Sequence, residues 1–432
     1  MKQILVASFA AVVMGFSGIA AAVPSNAVPS NAASESSHIA GQIMVKFRDN
    51  GAAAGVLRQH GLKEGAGIGS TGAQLIKVPA GKELNLIEAL NRNPAVEYAE
   101  PDEIATADTD DPFFPRQYAL QNDGQSFTNT LNTLTVTAGD NDADVDAVEA
   151  WSTTRGRDIR VAIVDSGVAN DHEDISQKVV ARINYSGTKI VNPEDYDKYG
   201  HGTHVAGIVA AVAGNGKGVA GVCPECSILD AKVLNDNGSG SSSTIAQGID
   251  WAVANGAKVI NMSLGMRVSS RTLETAVNNA WNRGVVLVAA AGNAGTPAQI
   301  YPGAYPNVIA VAATDNKDDK ASFSSYGAKW VDIAAPGVNV YSTFPFHPFV
   351  LGTQNGRSMG YDIASGTSMA SPIVAATAAL VWSSQADPDN ATVRAKVEAS
   401  AERKAGTETY WANGRVNACK AVAKPLDAGT CP

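Results

Sequence analysis

A short apolar run that ends in an acidic residue and a turn decides the fold, and it reads Val161-Ala162-Ile163-Val164-Asp165-Ser166-Gly167. Consecutive apolar residues without alternation are typical of a strand that is buried on both faces. Similar runs follow at residues 228–234, 257–261, 284–289 and 308–311, and helix-like stretches separate them at 204–213, 245–255 and 273–282. This alternation predicts an α/β fold, a doubly wound and mainly parallel sheet with helices on both faces.

Three motifs place reactive side chains at the ends of these elements. Asp165 ends the first strand, His201 opens a helix in His201-Gly202-Thr203-His204, and Ser368 opens another in Gly366-Thr367-Ser368-Met369. Because ligands of such sheets bind at the carboxyl ends of the strands, the three side chains can converge there. A serine needs a base to become a nucleophile, and the base needs an orienting carboxylate. Each residue alone could equally be a cap, a turn residue or a core residue, but together they predict a hydrolase.

The order of these motifs resembles that of the subtilases, subtilisin-like serine proteases, and most closely their thermitase-like secreted bacterial branch. The resemblance covers residues 42–422 and implies that Ser368 is the nucleophile, His201 the general base and acid, and Asp165 its partner. It implies that Asn293, in Ala291-Gly292-Asn293, donates a hydrogen bond to the oxyanion, whereas His204 is structural. The implied activity is that of a serine endopeptidase that acts through an acyl-enzyme.

The resemblance also implies where an extended peptide binds. Two segments of small residues match those that flank the substrate in the family, Gly238-Ser239-Gly240 and Ser263-Leu264-Gly265. Backbone pairing of this kind reads few side chains, so the expected substrates are proteins and peptides of broad sequence.

Three departures from the family bear on specificity. Met266 and Ile300 stand where smaller residues are common, which predicts a narrowed or reshaped primary pocket. The stretch 337–366 is longer than usual and contains Phe344, Phe346 and Phe349. Its sequence is compatible with shaping the cleft and with covering the surface.

A structural calcium ion is a further implication of the resemblance. The implied ligands are the carboxylates of Asp111 and Asp174 and oxygens of the loop 212–219, namely the Asn215 side chain and the carbonyls of Val212, Lys217 and Val219. Carboxylate, amide and carbonyl oxygens suit a hard cation. Asp195 and Asp197 fit a second, weaker ion and a solvated surface pair equally well.

The residues before the catalytic domain divide into three parts. Residues 1–22, with one early lysine and an apolar run that ends in three alanines, resemble a cleaved export signal, with an uncleaved anchor as the disfavoured alternative. Residues 23–41 form a linker. Residues 42–106 read as a small α+β unit that resembles the ferredoxin-like subtilase propeptide, an intramolecular chaperone and inhibitor. The resemblance implies self-cleavage near Thr106–Ala107, with residues 107–432 as the catalytic domain.

Charge and cysteine content limit the remaining possibilities. The chain has 33 Lys+Arg against 42 Asp+Glu, so it has no overall basic character for nucleic-acid binding. Export makes disulfides the default for the four cysteines. Of three possible pairings the local one is favoured, Cys223–Cys226 with Cys419–Cys431, and a zinc site is the alternative. We expect a secreted monomer, extracellular or periplasmic, with no membrane association once mature.

Two other functions compete with a self-processing protease. An inactive subtilase-like binding protein is disfavoured because Asp165, His201, Asn293 and Ser368 are all present. A dedicated maturation protease would call for a sorting or anchoring tail, which we do not expect in this chain.

Overall fold

The computed structural model describes residues 38–103, 110–193, 196–423 and 431. The expected export signal, the first part of the linker, the expected cleavage site at Thr106–Ala107 and Asp195 lie outside these residues. The chain forms two compact units, Met1–Ala105 and Thr106–Pro432.

The first unit is a four-stranded antiparallel sheet with two helices. Its strands lie in the order β2-β3-β1-β4. The elements are β1 (His38–Phe47), α1 (Ala53–Gln59), β2 (Ala66–Gly67), β3 (Ala73–Lys77), α2 (Glu83–Asn91) and β4 (Val96–Glu103). The linker was expected to run to residue 41, but β1 begins at His38 because that residue already pairs with Glu103 of β4.

The second unit is built on a seven-stranded parallel sheet with the order β13-β12-β11-β10-β7-β9-β8. Because β9 and β10 lie on opposite sides of β7, the chain winds outward in both directions from the centre. The strands are β7 (Arg160–Asp165), β8 (Val179–Asn184), β9 (Ser227–Lys232), β10 (Val259–Met262), β11 (Val286–Ala290), β12 (Val308–Thr314) and β13 (Ile333–Pro336).

Helices and two small hairpins surround this sheet. The helices are α3 (Ala147–Ala150), α4 (His201–Ala210), α5 (Ser242–Ala254), α6 (Arg271–Asn282), α7 (Val350–Asn355), α8 (Thr367–Ser384), α9 (Asn390–Ala399) and α10 (Ala418–Val422). The hairpins pair β5 (Phe127–Thr128) with β6 (Thr135–Val136), and β14 (Val340–Thr343) with β15 (Tyr361–Ala364). Within the described ranges, no helix has the length and apolar character needed to cross a membrane.

Both faces of β7 are buried, as its sequence predicts. Val161 and Ile163 pack into the core that contains α4 and α8, whereas Ala162 and Val164 pack into the core that contains α5 and α6. Full burial of one such branched side chain contributes about 1.5–3 kcal/mol to stability. The strand therefore has a fixed register, and that register sets the position of Asp165 at its end.

The helix α4 begins at His201, as its motif predicts, and ends at Ala210, before the expected end at residue 213. Gly200 precedes it with a φ of +90°, a left-handed conformation that favours glycine. A Cβ at this position would also approach Phe349 Cδ2 to 2.3 Å. The glycine thus allows a sharp entry to the helix and places His201 at its first position.

Two disulfides connect neighbouring parts of the second unit. The sulfurs of Cys223 and Cys226 are bonded, as are those of Cys419 and Cys431. All four cysteines are in use, which leaves no free thiol for the alternative zinc site. The first disulfide lies just before β9 and the second joins α10 to the chain that follows it.

Candidate active site

Asp165 and His201 form a buried pair at the carboxyl end of β7. The two carboxylate oxygens of Asp165 lie 2.8 and 3.0 Å from His201 Nδ1, and Asp165 is fully buried. The backbone N–H of Ser166 donates a further hydrogen bond of 2.7 Å to the same carboxylate. With Nδ1 held by Asp165, Nε2 is the imidazole nitrogen that is left for the cleft.

The environment of His201 favours its protonated form. Burial lowers the pKa of His201, but the negative charge and hydrogen bond of Asp165 outweigh this effect, and the charge of Asp197 adds to them. The net result is a pKa above the ordinary value for histidine. The imidazole is therefore a better base than a free histidine, and the imidazolium that forms is stabilised in place.

Asp197 holds the turn after β7 against the start of α4. Its Oδ1 accepts hydrogen bonds of 2.9 Å from Gly200 N and from Ser166 Oγ. Its Oδ2 accepts bonds from the N–H and hydroxyl of Thr203, at 2.9 and 2.6 Å. Of the two alternatives given for Asp197, a weak ion site and a solvated surface residue, the second is wrong, because Asp197 is fully buried. Its position just before the helix start is the signal that sequence reasoning missed.

Ser368 lies at the second position of α8, beside the end of β10. Its hydroxyl donates a 3.2 Å hydrogen bond to the carbonyl of Ser263, and the Ser263 hydroxyl donates a 2.8 Å bond to the carbonyl of Ser368. These two bonds connect the helix to the segment that follows β10. The N-terminus of α8 also has a positive dipole, which favours negative charge near Ser368.

Asn293 follows β11, and its side-chain amide is oriented by Thr367. The N–H and the hydroxyl of Thr367 donate to Asn293 Oδ1 at 2.9 and 3.0 Å. Thr367 Oγ1 in turn accepts a 3.0 Å bond from Gly292 N. With Oδ1 occupied, Asn293 presents Nδ2 as a donor, and this nitrogen has no hydrogen-bond partner among the described residues. Sequence reasoning missed Thr367 as the residue that sets this orientation.

The residues that were predicted to catalyse the reaction or to bind substrate lie in or beside one cleft of about 670 Å³. His201, Asn293 and Ser368 line it, while Asp165 lies behind His201. The two expected substrate segments line it as well, through Gly238, Ser239, Gly240, Ser263, Leu264 and Gly265. The cleft therefore joins a serine hydroxyl, an imidazole and a side-chain amide to two segments of small residues.

A second cavity of about 350 Å³ adjoins Ser368 and Asn293, and Ile300 lies in its wall. A Cβ on Gly265 would come within 2.4 Å of Ile300 Cγ2, and one on Gly292 within 2.9 Å of Cγ1. The Ile300 side chain thus packs against the backbone at Gly265 and Gly292 and fills part of this cavity. Met266 lines the larger cleft instead.

The long segment 337–366 shapes the cleft. Its sequence alone did not decide between this role and covering the surface. It consists of β14, α7 and β15, and four of its residues before β15 line the cleft, namely Phe344, Leu351, Asn355 and Arg357. The Phe344 ring lies 4.6 Å from the ring of His204, which is fully buried. His204 Nε2 lies 3.2 Å from the carbonyl oxygen of Asp362, so this histidine joins α4 to β15.

The residues expected to bind calcium lie together. Asp111 accepts hydrogen bonds from Gly214 N and Asn215 N, at 2.8 and 3.1 Å. Asp174 accepts from Asn215 Nδ2 at 2.8 Å and from Val219 N at 2.9 Å. Burial raises the pKa of Asp174 to about 7, and the charge of Asp111 adds to the rise. Among the described residues, no group of three or more acidic, histidine or cysteine side chains is placed to hold a metal ion.

The subtilase family model matches residues 156–417, which include every residue of the cleft. The chain belongs to the subtilase family. Residues 24–102 match a second model, that of the fervidolysin N-terminal prodomain. This subtilase is therefore a serine endopeptidase with an N-terminal prodomain, and both resemblances drawn from the sequence are confirmed.

Individual relatives agree with this assignment. Thermitase from Thermoactinomyces vulgaris is 47% identical over 280 residues, which cover 64% of this chain and 93% of thermitase. The thermophilic serine proteinase of Bacillus sp. strain AK1 is 41% identical over 344 residues, covering 78% of this chain and 75% of that protein. Among solved structures, a protease from Pseudoalteromonas arctica PAMC 21717 matches with a TM-score of 0.61 and 29% identity, covering 73% of this subtilase and 98% of that chain. The predicted fold class is thereby confirmed.

Proposed function

We propose that this serine endopeptidase cleaves peptide bonds with Ser368 as nucleophile, His201 as general base and acid, and Asp165 as its orienting carboxylate. The observation that carries the proposal is the 2.8 Å pair between Asp165 and His201 in a cleft that also contains Ser368. A helix cap or a core residue would not require a buried carboxylate–imidazole pair and a serine hydroxyl in the same cleft. Replacement of Ser368 by alanine tests the proposal, because it removes the nucleophile and little else.

The reaction follows from the placement of these groups. Ser368 Oγ leaves its hydrogen bond to Ser263 and attacks the carbonyl carbon while its proton passes to His201 Nε2. The resulting oxyanion accepts hydrogen bonds from Asn293 Nδ2 and from the Ser368 N–H. The C–N bond then breaks as His201 returns the proton to the leaving amine, which leaves an acyl-enzyme. Water attacks this ester with His201 again as base, and the acid product and free Ser368 are regenerated.

The substrate binds as an extended strand between the two segments of small residues. Gly238, Ser239 and Gly240 line the cleft, and so do Ser263, Leu264 and Gly265. A Cβ at Gly240 would approach the carbonyl oxygen of Val233 to 2.6 Å, so the backbone here is packed too tightly for a larger residue. Main-chain hydrogen bonds dominate such binding, and this supports broad specificity toward proteins and peptides.

The cavity at Ile300 is the place where side-chain size matters. It adjoins Ser368 and Asn293, so it receives the side chain of the residue whose carbonyl is attacked. Ile300→Gly is expected to raise kcat/KM for a peptide with Phe at that position, relative to the same peptide with Ala, by about tenfold or more. Matched peptides that differ only in this residue measure the ratio. Ile300→Val, which removes one methyl group, serves as the graded control, and an unchanged ratio in Ile300→Gly would contradict this pocket assignment.

The prodomain acts on its own catalytic domain. The match of residues 24–102 to a prodomain model supports a role as intramolecular chaperone and inhibitor. Self-cleavage near Thr106–Ala107 then releases a mature enzyme that begins near residue 107. Export through the signal at residues 1–22 places this monomeric enzyme outside the cell or in the periplasm, where its two disulfides are stable.

A calcium ion fits between Asp111 and Asp174. The carboxylates of Asp111 and Asp174 are both almost completely buried and have no cationic partner among the described residues, and burial raises the pKa of Asp174 to about 7. A divalent cation would offset this cost. The Asp111 and Asp174 carboxylates would hold it, with the Asn215 side chain and the carbonyls of Val212, Lys217 and Val219 as further oxygen donors. Asn215 would turn its amide, because Nδ2 now faces Asp174.

Chelation tests this site through stability. An ion that binds only the native state stabilises it by about 2.7 kcal/mol when its free concentration is a hundred times Kd. For a domain of this size, removal of calcium with EDTA is therefore expected to lower Tm by about 5 °C. Calorimetry with and without EDTA measures the shift, which the Asp174→Asn variant should not show. The exposed neighbour Asp171 provides the control Asp171→Asn, which should respond like wild type. Equal Tm values for wild type in both buffers would rule out the site.

A further inference from the structure

The long segment 337–366 is fixed to the chain that enters the His201 helix. Val350 N donates to the carbonyl of Lys198 at 2.9 Å, and Leu351 N donates to the carbonyl of Tyr199 at 3.2 Å. The rings of Phe344 and Phe349 stack 4.7 Å apart, with Phe344 against His204. Because these contacts join the start of α7 to the residues just before the catalytic histidine, α7 forms a wall of the cleft.

Arg357 is the charged residue of this wall. It follows α7 after Gly356, and its N–H donates a 3.0 Å bond to the carbonyl of Gly352. Its side chain lines the cleft, is half-buried, and has no ion-pair partner among the described residues. His204 also lines the cleft but is neutral, because burial lowers its pKa to about 3, with the charges of His201 and Arg357 contributing. Arg357 is thus the one fixed charge among the described lining residues.

The position of Arg357 relates it to the leaving group. His201 donates its proton to the leaving amine, so the substrate residues after the scissile bond lie on the His201 side of Ser368. Leu264 and Gly265 also line the cavity at Ile300, which is proposed to receive the substrate residue before that bond. Phe344, Leu351 and Arg357 line the cleft together with His204 and Ser365. Phe344 packs on His204 of the His201 helix, and Leu351 is hydrogen-bonded to Tyr199, two residues before His201, so this wall belongs to the His201 side.

We propose that Arg357 gives the enzyme a preference for an acidic side chain, Asp or Glu, in the substrate residues that follow the scissile bond. This inference rests on the proposed function, because it assumes that peptide occupies the cleft with His201 beside the leaving group. A guanidinium without a protein partner in a half-buried position is already partly desolvated. It therefore binds a carboxylate more strongly than a fully exposed cation does, by charge-assisted hydrogen bonds.

Quenched fluorescent peptides test this preference on the mature enzyme. One parent sequence carries Glu, Gln or Lys in turn at the first, second or third residue after the scissile bond. We expect kcat/KM for Glu to exceed that for Gln by about three- to tenfold at one of these positions, with Lys the poorest. The ratio should fall as NaCl is raised to about 1 M, since salt screens a partly exposed pair.

The variants Arg357→Gln and Arg357→Glu make the test specific. Arg357→Gln should bring the Glu-to-Gln ratio close to one, and Arg357→Glu should make Lys the preferred residue. Arg283→Gln is the matched control, because it removes an exposed arginine at the end of α6 that does not line the cleft. A wild-type ratio near one, or a ratio that persists in Arg357→Gln, would overturn the inference. Cleavage of the Gln peptide by wild type, with none by Ser368→Ala, verifies the proposed function separately.

Discussion

The Ser368→Ala precursor is expected to keep its prodomain and to hydrolyse casein about a millionfold more slowly than the wild-type enzyme, which is the loss that subtilisin shows without its serine. In the proposed mechanism Ser368 Oγ forms the acyl bond, and His201 has no hydroxyl to deprotonate when this atom is absent. Gel electrophoresis of the purified precursors shows the processing. Wild type should release a fragment that ends near Thr106, and N-terminal sequencing of the larger product locates the cut.

The structure offers a matched control on the same helix. Ser384 ends α8, and its hydroxyl bonds to the carbonyl of Val381 at the end remote from the cleft. Ser384→Ala should process and hydrolyse casein like wild type. Addition of mature wild-type enzyme to Ser368→Ala precursor should remove the prodomain in trans, which shows that the variant is folded. If the wild-type and Ser368→Ala precursors are processed identically without added mature enzyme, self-cleavage is refuted.

Asn293→Ala should lower kcat by about two to three orders of magnitude, about 3 kcal/mol of transition-state stabilisation, with little change in KM. A loss of this size is typical of the removal of one oxyanion donor. Here the physical reason is local. Thr367 occupies Asn293 Oδ1 through two hydrogen bonds, which leaves Nδ2 as the donor that we propose contacts the charge formed in the transition state.

Steady-state kinetics on a single peptide substrate separates kcat from KM for this variant. Asn307→Ala is the control, because Asn307 bonds to Asn278 and does not line the cleft. Its kcat should equal that of wild type. A loss for Asn293→Ala that appears mainly in KM would mean that the side chain binds the ground state, and the role proposed for Nδ2 would be wrong.

Local sequence patterns predicted the sheet and the positions of the reactive residues. The apolar run at 161–164 has no alternation because both of its faces are buried, and Asp165 ends the strand where polar side chains can meet solvent or one another. His201 and Ser368 each begin a helix, so their backbone positions follow from the same elements. These features depend on residues that are close in sequence. One amino-acid sequence is therefore sufficient to predict them.

Other features depend on contacts between distant residues, which no local pattern records. The sequence around Asp197 fitted an ion site and a surface position equally well, yet the residue is buried and accepts a hydrogen bond from Ser166 Oγ across the turn after β7. The long segment 337–366 lines the cleft because Phe344 packs on His204 and Val350 pairs with Lys198. Spacing and composition contain no information on such pairings, and Arg357 could not be placed in the cleft without them.

Covalent labelling of Ser368 tests most directly whether this residue is the nucleophile. The mature enzyme is treated with phenylmethylsulfonyl fluoride until activity is lost, and a digest is analysed by mass spectrometry. We expect to find the sulfonyl group on the peptide that contains Ser368. We also expect Asp165→Asn to slow the modification, because His201 is no longer held in position as a base. Complete inactivation with the label on another residue, or full activity with Ser368 modified, would contradict the assignment of Ser368 as the nucleophile.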